Sequence, residues 1–342
     1  MGTLRVGIIG AGGNTKGRHI PGLQGIDDVK IVAVCNRSHE SGAKVAEEFG
    51  IPDVMTDWRA LTERDDLDAV VIGTWPYMHA PMSIAALNAG KHVLCEARMA
   101  MNLGEARAML DAANRTDRVA QIVPSPMMLA WDATIREQIA AGVLGAVREI
   151  HVRGLAGGGV DPSAPVHWRQ RQDMSGINIM NLGIVYETLA RYFGHATTVT
   201  ATTRVWNTTR PDPETGGTRR VDVPETAQVL AEMASGALAV FQFSSVAAHA
   251  GPSRAEAYGS DGTLVLEFGP ENVCAARAGD EALANIPLPD GPRAGWRVEE
   301  DFVDSIRDGV PVTLTPFDEG VRYMAFTEAV NQSAVAGRRI HV

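Results

Sequence analysis

Gly10 and Gly12, closing the apolar run Leu4-Arg5-Val6-Gly7-Ile8-Ile9, are the first residues of this chain whose type and spacing point to chemistry. Without a Cβ, glycine lets the backbone turn tightly and brings bare N–H groups up to an anion. A helix N-terminus just beyond adds the positive end of its dipole. The apolar strand, the G-x-G turn and a helix-compatible segment through Gly13, Asn14 and Thr15 therefore read as the diphosphate cradle of a dinucleotide site. The third glycine of G-x-G-x-x-G is irregular: Thr15 stands in its place, and Gly17 takes the role only if the turn carries extra residues. A second apolar run ends at Asn36-Arg37-Ser38, where such a fold meets the adenosine ribose. An acid there would bind the 2′-hydroxyl and repel a 2′-phosphate, whereas Arg37 grips a phosphate bidentately and Ser38 donates to it. NADP is expected over NAD; the alternative has Arg37 facing solvent and Asn36 holding the ribose of NAD.

Thr74-Trp75-Pro76-Tyr77-Met78-His79 follows another apolar strand at its carboxyl end, where open α/β sheets place their cofactor loops. Thr74, Trp75 and Pro76 are expected beside the nucleotide, Tyr77 at the substrate, and His79 at the cofactor or capping the next helix. Glu96 ends the following strand, and Arg98 offers a guanidinium to an anionic substrate group. In the Gly- and Pro-rich stretch 154–176, His167 titrates near neutral pH and is a candidate base, with Arg169 either packing or a cofactor contact. Asn178, Asn181 and Val185 share one face of a helical pattern, with Tyr186 about 100° round. An amide hydrogen-bonds a substrate but takes no proton, whereas a phenol of depressed pKa takes one. His167 and Tyr186 are the catalytic candidates, and Tyr77, Arg98, Asn178 and Asn181 the substrate-binding ones. Glu187 is expected to face solvent.

The elements that must position these residues are legible as periodicities. Apolar, β-branched runs at 4–9, 29–35, 69–73, 92–95 and 119–123, with a weaker one near Val54, alternate with helical patterns at 40–49, 79–89 and from Asn102 to about Thr116. Such alternation is how a parallel sheet with crossover helices reads. Gly90 is placed as a left-handed helix cap, and Asn102 with Glu105 as a capping box. Pro124 and Pro126 end the pattern, so 1–123 is assigned to an α/β Rossmann-type domain and 124–342 to an α+β domain with a large, mostly antiparallel open sheet. In the latter, helices at 132–141 and 178–193 and a strand at 147–153 precede strands at 199–207, 226–233, 237–246, 254–258 and 263–268. Ser235-Gly236 and Asp261-Gly262 are hairpin turns, 298–308 and 317–336 are closing helices, and 211–217 and 287–295 are long turns. Ligands are expected in the cleft between the two domains.

Bulk composition excludes several classes. A net charge of −10 with scattered basic residues argues against nucleic acid or an anionic membrane as partner. Cys35, Cys95 and Cys274 are too few and too far apart for a disulfide framework or a zinc motif, so no metal is expected and the compartment is read as reducing and cytoplasmic. No run reaches the roughly 18 apolar residues of a membrane span, and no secretory signal pattern precedes the glycines.

Several pieces together resemble the Gfo/Idh/MocA family of NAD(P)-dependent oxidoreductases. They are Gly10-Ala11-Gly12 with His19, the run Ala86-Leu87-Asn88-Ala89-Gly90-Lys91-His92-Val93-Leu94-Cys95-Glu96, His167-Trp168-Arg169, and the segment from Ser175-Gly176 to Gly183. The resemblance implies a nucleotide-binding first domain, hydride transfer at the domain junction, Glu96 near the nicotinamide ribose, and a homo-oligomer, dimer or tetramer, through the second-domain sheet. It also implies a carbohydrate-like or other small hydroxyl or carbonyl substrate. Three ionisable groups usual in the family are replaced: the lysine of E-K-P by Ala97, and the aspartate and histidine of D-x-G-x-H by Asn181 and Val185. A positioned base is worth about 10²–10⁴-fold, so the chemistry is slowed rather than forbidden. An NADP-dependent dehydrogenase or reductase is the leading expectation. The alternatives are a non-catalytic NADP-binding sensor and a redox-neutral oxidation-elimination enzyme.

Overall fold

The computed structural model describes residues 2–288 and 295–342, so the turn expected at 287–295 lies for the most part outside the described residues. The chain forms two compact units, one comprising the residues up to Pro124 together with Arg297–Met324, the other Ser125–Trp296 together with Ala325–Val342.

In the first unit, β1 (Leu4–Ile9), β2 (Val29–Cys35), β3 (Asp53–Met55), β4 (Ala69–Ile72), β5 (His92–Cys95) and β6 (Ala120–Ile122) form one parallel sheet in the order β3-β2-β1-β4-β5-β6. The strands read as continuous apolar runs because both faces are covered: Val6, Ile8 and all four residues of β4 are fully buried. A π-helical turn (Thr15–His19) leads into α1 (Ile20–Gln24), and α2 (His39–Phe49), α3 (Trp58–Thr62), α4 (Pro76–Asn88) and α5 (Leu103–Ala113) are the crossovers. Gly50 and Gly90 have φ of +68° and +74° just beyond α2 and α4, the left-handed region open to residues without a Cβ. Because β2 and β3 lie on one side of β1 and β4 to β6 on the other, the loops leaving β1 and β4 diverge and open a crevice at the carboxyl ends.

The division differs from a single boundary at 123, because the later segment 297–324 returns to this unit. In α9 (Val298–Asp308), Val298, Phe302 and Val303 are buried, and Arg307 donates to the Asp27 carbonyl at 2.8 Å. The Ile122 N–H donates to the Thr315 carbonyl at 2.9 Å. A boundary set by the first helix-breaking prolines cannot anticipate a return 170-odd residues later, since nothing local marks it.

The second unit carries α6 (Asp132–Ala140), α7 (Gln172–Ser175), α8 (Leu182–Phe193) and a nine-stranded sheet. Its strands are β7 (Val147–Leu155), β8 (Ala196–Arg204), β11 (Thr226–Met233), β12 (Leu238–Ser244), β13 (Arg254–Gly259), β14 (Gly262–Glu267), β15 (Asn272–Arg277), β16 (Ala284–Asn285) and β17 (Ile340–His341). The order is β16-β15-β14-β13-β7-β12-β11-β8-β17, antiparallel except where β7 meets β12. Alternation sorts the faces: Ala227, Val229, Ala231 and Met233 are buried, while Leu230 is 58% and Leu238 of β12 62% exposed on the open side. The 211–217 segment is not a plain long turn. It caps a separate hairpin, β9 (Thr209–Pro211) paired with β10 (Thr218–Arg220). The residues of α10 (Phe317–Ala336) are divided between the two units after Met324.

A candidate dinucleotide-binding site

At the carboxyl end of β1, Gly10 turns with φ of +83°, and a Cβ there would stand 2.7 Å from the Thr74 side chain and 2.9 Å from its backbone nitrogen. Gly12 and Gly13 are exposed, and a Cβ on Gly13 would meet nothing within 4 Å, so their backbone faces open space at the start of the first helix. The Gly12 N–H closes the turn onto the Gly10 carbonyl at 2.9 Å, whereas the first N–H groups of the helix, from Gly13 and Asn14, have no intrahelical acceptor and form the surface a diphosphate requires. Asn36 braces the turn by accepting the Ala11 N–H at 2.9 Å.

The irregular third glycine has a tertiary answer. Thr15 is buried and donates its hydroxyl to the Gly10 carbonyl at 3.2 Å, so it is a brace and not the cofactor contact expected for it. The glycine it needs is Gly73, beyond β4, where a Cβ would lie 2.0 Å from Thr15 Oγ1 and 2.4 Å from the Gly10 carbonyl oxygen. Close approach of helix to strand is kept by exchanging which side lacks the Cβ. The turn does carry an extra residue, since the Ile20 N–H donates to the Thr15 carbonyl five residues back, but a Cβ on Gly17 would meet only open space.

A groove of about 320 Å³ runs from this turn along the loops after β2 and β4, lined among others by Gly12, Asn36, Arg37, Ser41, Thr74, Trp75 and Tyr77. The Arg37 guanidinium lies 5.3 Å from the centroid of the Trp75 ring. Ser38 and Ser41 are committed to the start of α2: Ser38 donates to Ser41 Oγ at 3.0 Å and accepts the Ser41 N–H, and Ser41, which lines the groove, donates its hydroxyl to the Ser38 carbonyl at 3.0 Å. The spacing Ser38-x-x-Ser41 carried that signal, since a cap hydroxyl reaches the amide three residues on.

Behind the loop after β4, His79 is buried between the carbonyls of Thr74 and Arg98, at 2.9 and 2.8 Å from its two ring nitrogens. Burial pushes its pKa below the usual histidine value, against the pull of these carbonyls, and a neutral ring donates to one carbonyl at a time. His79 therefore ties the cofactor loop to the segment after β5 instead of touching a ligand. Pro76, at the first turn of α4, is likewise buried packing. Arg98 is 1% exposed, joined to Ala97 by a cis peptide, and a guanidinium so buried is closed to a substrate anion, contrary to expectation.

Glu96 stands at the end of β5 with 15% of its side chain exposed. Its Oε1 accepts from Asn14 Nδ2 and from His19 Nε2, the latter at 3.0 Å, and its Oε2 accepts the Ala97 N–H at 3.1 Å. The other nitrogen of His19 bonds Glu299 of α9 at 2.5 Å, and a Cβ on Gly22 would collide with that carboxylate. Burial disfavours charge on His19, but its hydrogen bonds to Glu299 and Glu96 prevail and raise its pKa to about 9. Burial also opposes charge on Glu96, and the bonds from His19 and Asn14 hold its pKa below the usual carboxylate value.

In the second unit, the helix carrying the expected substrate face starts at Leu182, not at 178. Asn178 is buried in the turn before it, donating to the Ser175 carbonyl at 2.7 Å, which removes it from a substrate face. Asn181 is half-buried at the helix entry. Tyr186 is fully buried, stacked on Phe326 with ring centroids 3.6 Å apart, and its hydroxyl accepts the Ala196 N–H at 2.9 Å beside His195. It is a core residue with an engaged hydroxyl, and its catalytic assignment is withdrawn. Glu187 does not face solvent: it is buried, bonds Arg191 and accepts the Ser125 N–H at 2.8 Å. His167 is exposed and caps a short 3-10 turn, its Nδ1 accepting the Arg169 N–H at 3.2 Å while Gln170 accepts the His167 N–H. Burial, then the Arg169 charge, lowers its pKa. Capping places the neutral ring's proton on Nε2, so this histidine donates more readily than it accepts. The Arg169 guanidinium lies over Trp168 at 4.2 Å.

Residues 4–123 match the family model described as oxidoreductase family, NAD-binding Rossmann fold, and residues 133–265 match the GFO/IDH/MocA C-terminal domain. The chain belongs to the Gfo/Idh/MocA family. As a member it is similar to 4-carboxy-2-hydroxymuconate-6-semialdehyde dehydrogenase of Sphingobium, 34% identical over 150 residues, 44% of this chain and 47% of that protein. It is also similar to levoglucosan dehydrogenase of Pseudarthrobacter phenanthrenivorans, 28% identical over 61% of this chain and 57% of that protein. The chain thus spans about half the length of these curated relatives. An oxidoreductase domain protein from Kribbella flavida superposes over 100% of both chains with a TM-score of 0.89 at 26% identity.

Proposed function

We propose that this family member is an NAD(P)-dependent oxidoreductase, with NADP favoured, acting on a carbohydrate-like or other small hydroxyl or carbonyl compound. The observation that carries the reading is the groove in which the bare backbone of Gly12, the bracing Asn36, the Arg37 guanidinium and the loop Thr74–Tyr77 line one continuous surface. Gly13 and Asn14 offer N–H groups to the diphosphate, Arg37 the charged contact for a 2′-phosphate, and Glu96 an acceptor for the nicotinamide-side ribose. When bound, the nicotinamide exchanges hydride with the substrate carbon. Tyr77, half-buried on the groove wall, and Asn181 hold the substrate, and Arg169 meets the cofactor. His167, as a neutral ring, donates a hydrogen bond from Nε2 to the substrate oxygen, and the hydroxyl proton is exchanged with water. The chain acts in the cytoplasm as a homo-oligomer, with the exposed Leu230 and Leu238 on the open sheet as the contact.

Titrating NADPH and NADH into the protein, then mixing the bound NADP form rapidly with a panel of sugars, polyols and aryl alcohols, tests the reading. Nicotinamide reduction by at least one compound is the expected result. Tight binding without hydride transfer to any of them would make the chain a nucleotide-dependent sensor, the reading that Ala97 and Val185 favour.

A further inference from the structure

His19, Glu96 and Glu299 form a buried charged chain, with the exposed Asn14 donating at its edge, that a ribose-binding carboxylate does not by itself need. Glu96 lies just beyond β5, His19 on the first helical turns and Glu299 on α9, so three separate parts of the first unit converge there. Both nitrogens of His19 face carboxylate oxygens, at 3.0 Å from Glu96 and 2.5 Å from Glu299, an arrangement that a doubly protonated ring satisfies by donating to both. His19 and Glu299 are essentially without solvent exposure, whereas Glu96 alone keeps an exposed edge.

We propose that His19, itself oriented by Glu299, is a positioning residue that holds Glu96 as a fixed, ionised hydrogen-bond acceptor for the nicotinamide-side ribose hydroxyls. The proposal rests on the dinucleotide reading above and adds how this carboxylate is kept competent. A carboxyl this buried takes up a proton near neutrality unless a cation opposes it. A protonated Glu96 would offer a ribose hydroxyl one acceptor fewer and none that is charged. His19 supplies the cation and fixes Oε1, the Ala97 N–H fixes Oε2, and Glu299 prevents the imidazole from turning or losing its proton. Besides His19, the described titratable group that acts on Glu96 is His79, from α4; those acting on His19 are Glu96 and Glu299. His79 is neutral when buried, so the protonation state of Glu96 follows His19.

The test measures the dissociation constant of NADPH and NADH from pH 5 to 8 for the intact protein and for His19→Gln, Glu299→Gln and Glu96→Gln. In the unaltered protein the affinity for NADH is flat across this range, and that for NADPH changes only with the charge on its own 2′-phosphate, in every variant alike. In His19→Gln it falls by up to tenfold per pH unit below the point at which Glu96 now takes up a proton. Glu299→Gln changes in the same direction by less, and Glu96→Gln is weak and flat. A flat profile in a folded His19→Gln, with only a lower melting temperature, would make the chain purely structural and overturn the inference. Should His19→Gln not fold, a flat profile in Glu299→Gln overturns it equally. If the unaltered protein binds neither nucleotide, the dinucleotide reading itself is lost and the inference with it; binding together with unaltered pH profiles removes the inference alone.

Discussion

A methyl group at position 73 has nowhere to go. In Gly73→Ala the new Cβ would stand 2.0 Å from Thr15 Oγ1 and 2.4 Å from the Gly10 carbonyl oxygen, both inside the 3.0 Å that real contacts respect. The first neighbour is a short side chain braced by its own hydrogen bond, and the second is backbone, so neither yields by a simple rotation. Overpacking of this kind costs about 1–3 kcal/mol, and the backbone collision puts this case at the upper end. For a unit of this size that lowers the melting temperature by about 5–10 °C. The glycine turn must also move away from β4, so NADPH affinity should fall at least about tenfold, or roughly 1.4 kcal/mol. Thr15→Gly alone loses one hydrogen bond and some helix propensity, about 1–2 kcal/mol. The double variant removes the 2.0 Å collision and leaves the one with the Gly10 oxygen, so it should recover affinity in part. Thermal unfolding and a fluorescence titration of NADPH read both quantities. A Gly73→Ala protein with unaltered melting and affinity would refute the account of the irregular glycine motif, and full recovery in the double variant would place all the strain at Thr15.

Arg37→Asp should shift the ratio of NADP to NAD affinity toward NAD by ten- to a thousandfold, the range of one or two charge contacts in a half-exposed groove; an unchanged ratio would mean that Arg37 merely covers Trp75. Tyr186→Phe leaves a buried N–H at Ala196 without its acceptor and should cost about 1–3 kcal/mol in urea unfolding while kcat of the folded enzyme stays within about twofold. A hundredfold fall in kcat would restore Tyr186 as a catalytic group. Because the folded pKa of His19 lies above its ordinary 6.5, its contribution is complete below about 6.5 and is lost as the pH rises through about 9. Unfolding free energy should decline by about 3 kcal/mol across that window, and His19→Gln should lose the decline. Arg210→Met leaves Glu225 buried beside its remaining N–H donors, takes the Arg210 bond from the Asp161 carbonyl and leaves the Gly159 carbonyl with Asn207 alone, so a loss of about 3–5 kcal/mol is expected, with faster proteolysis in the stretch 156–170.

Most of the strands and the longer helices were readable from the order of residues, because each depends on local patterns. Continuous β-branched runs describe strands covered on both faces, alternation describes a sheet with one open side, and Asn102 opens a helix and Gly90 closes one by their own chemistry. The hairpin at 209–220 was missed because its strands, Thr209–Pro211 and Thr218–Arg220, are short and mostly polar, so no apolar period marks them; β15 was missed because its short apolar run, Val273 to Ala276, does not alternate. The most distinctive run, Ala86 to Glu96, pointed to the right family, yet much of it is scaffolding: the Lys91 ammonium donates to the carbonyls of Arg64 and Leu67 at 2.7 and 2.8 Å, and His92 accepts the Val119 N–H.

The order of residues by itself determined that a glycine turn ends the first strand of a parallel sheet, that an arginine follows the second strand, and that an open antiparallel sheet comes after. Only the tertiary structure decided which polar residues serve a ligand and which serve the scaffold. Periodicity states that a face is apolar but not what packs against it, so Tyr186 and Arg98 looked available and are buried, and Thr15 looked misplaced and is matched by Gly73. His19 meets Glu96 across 77 residues and Glu299 across 280, and a charged chain of that kind exists only once separate elements have packed, because the desolvation that makes each ion depend on its neighbours is absent from the unfolded chain.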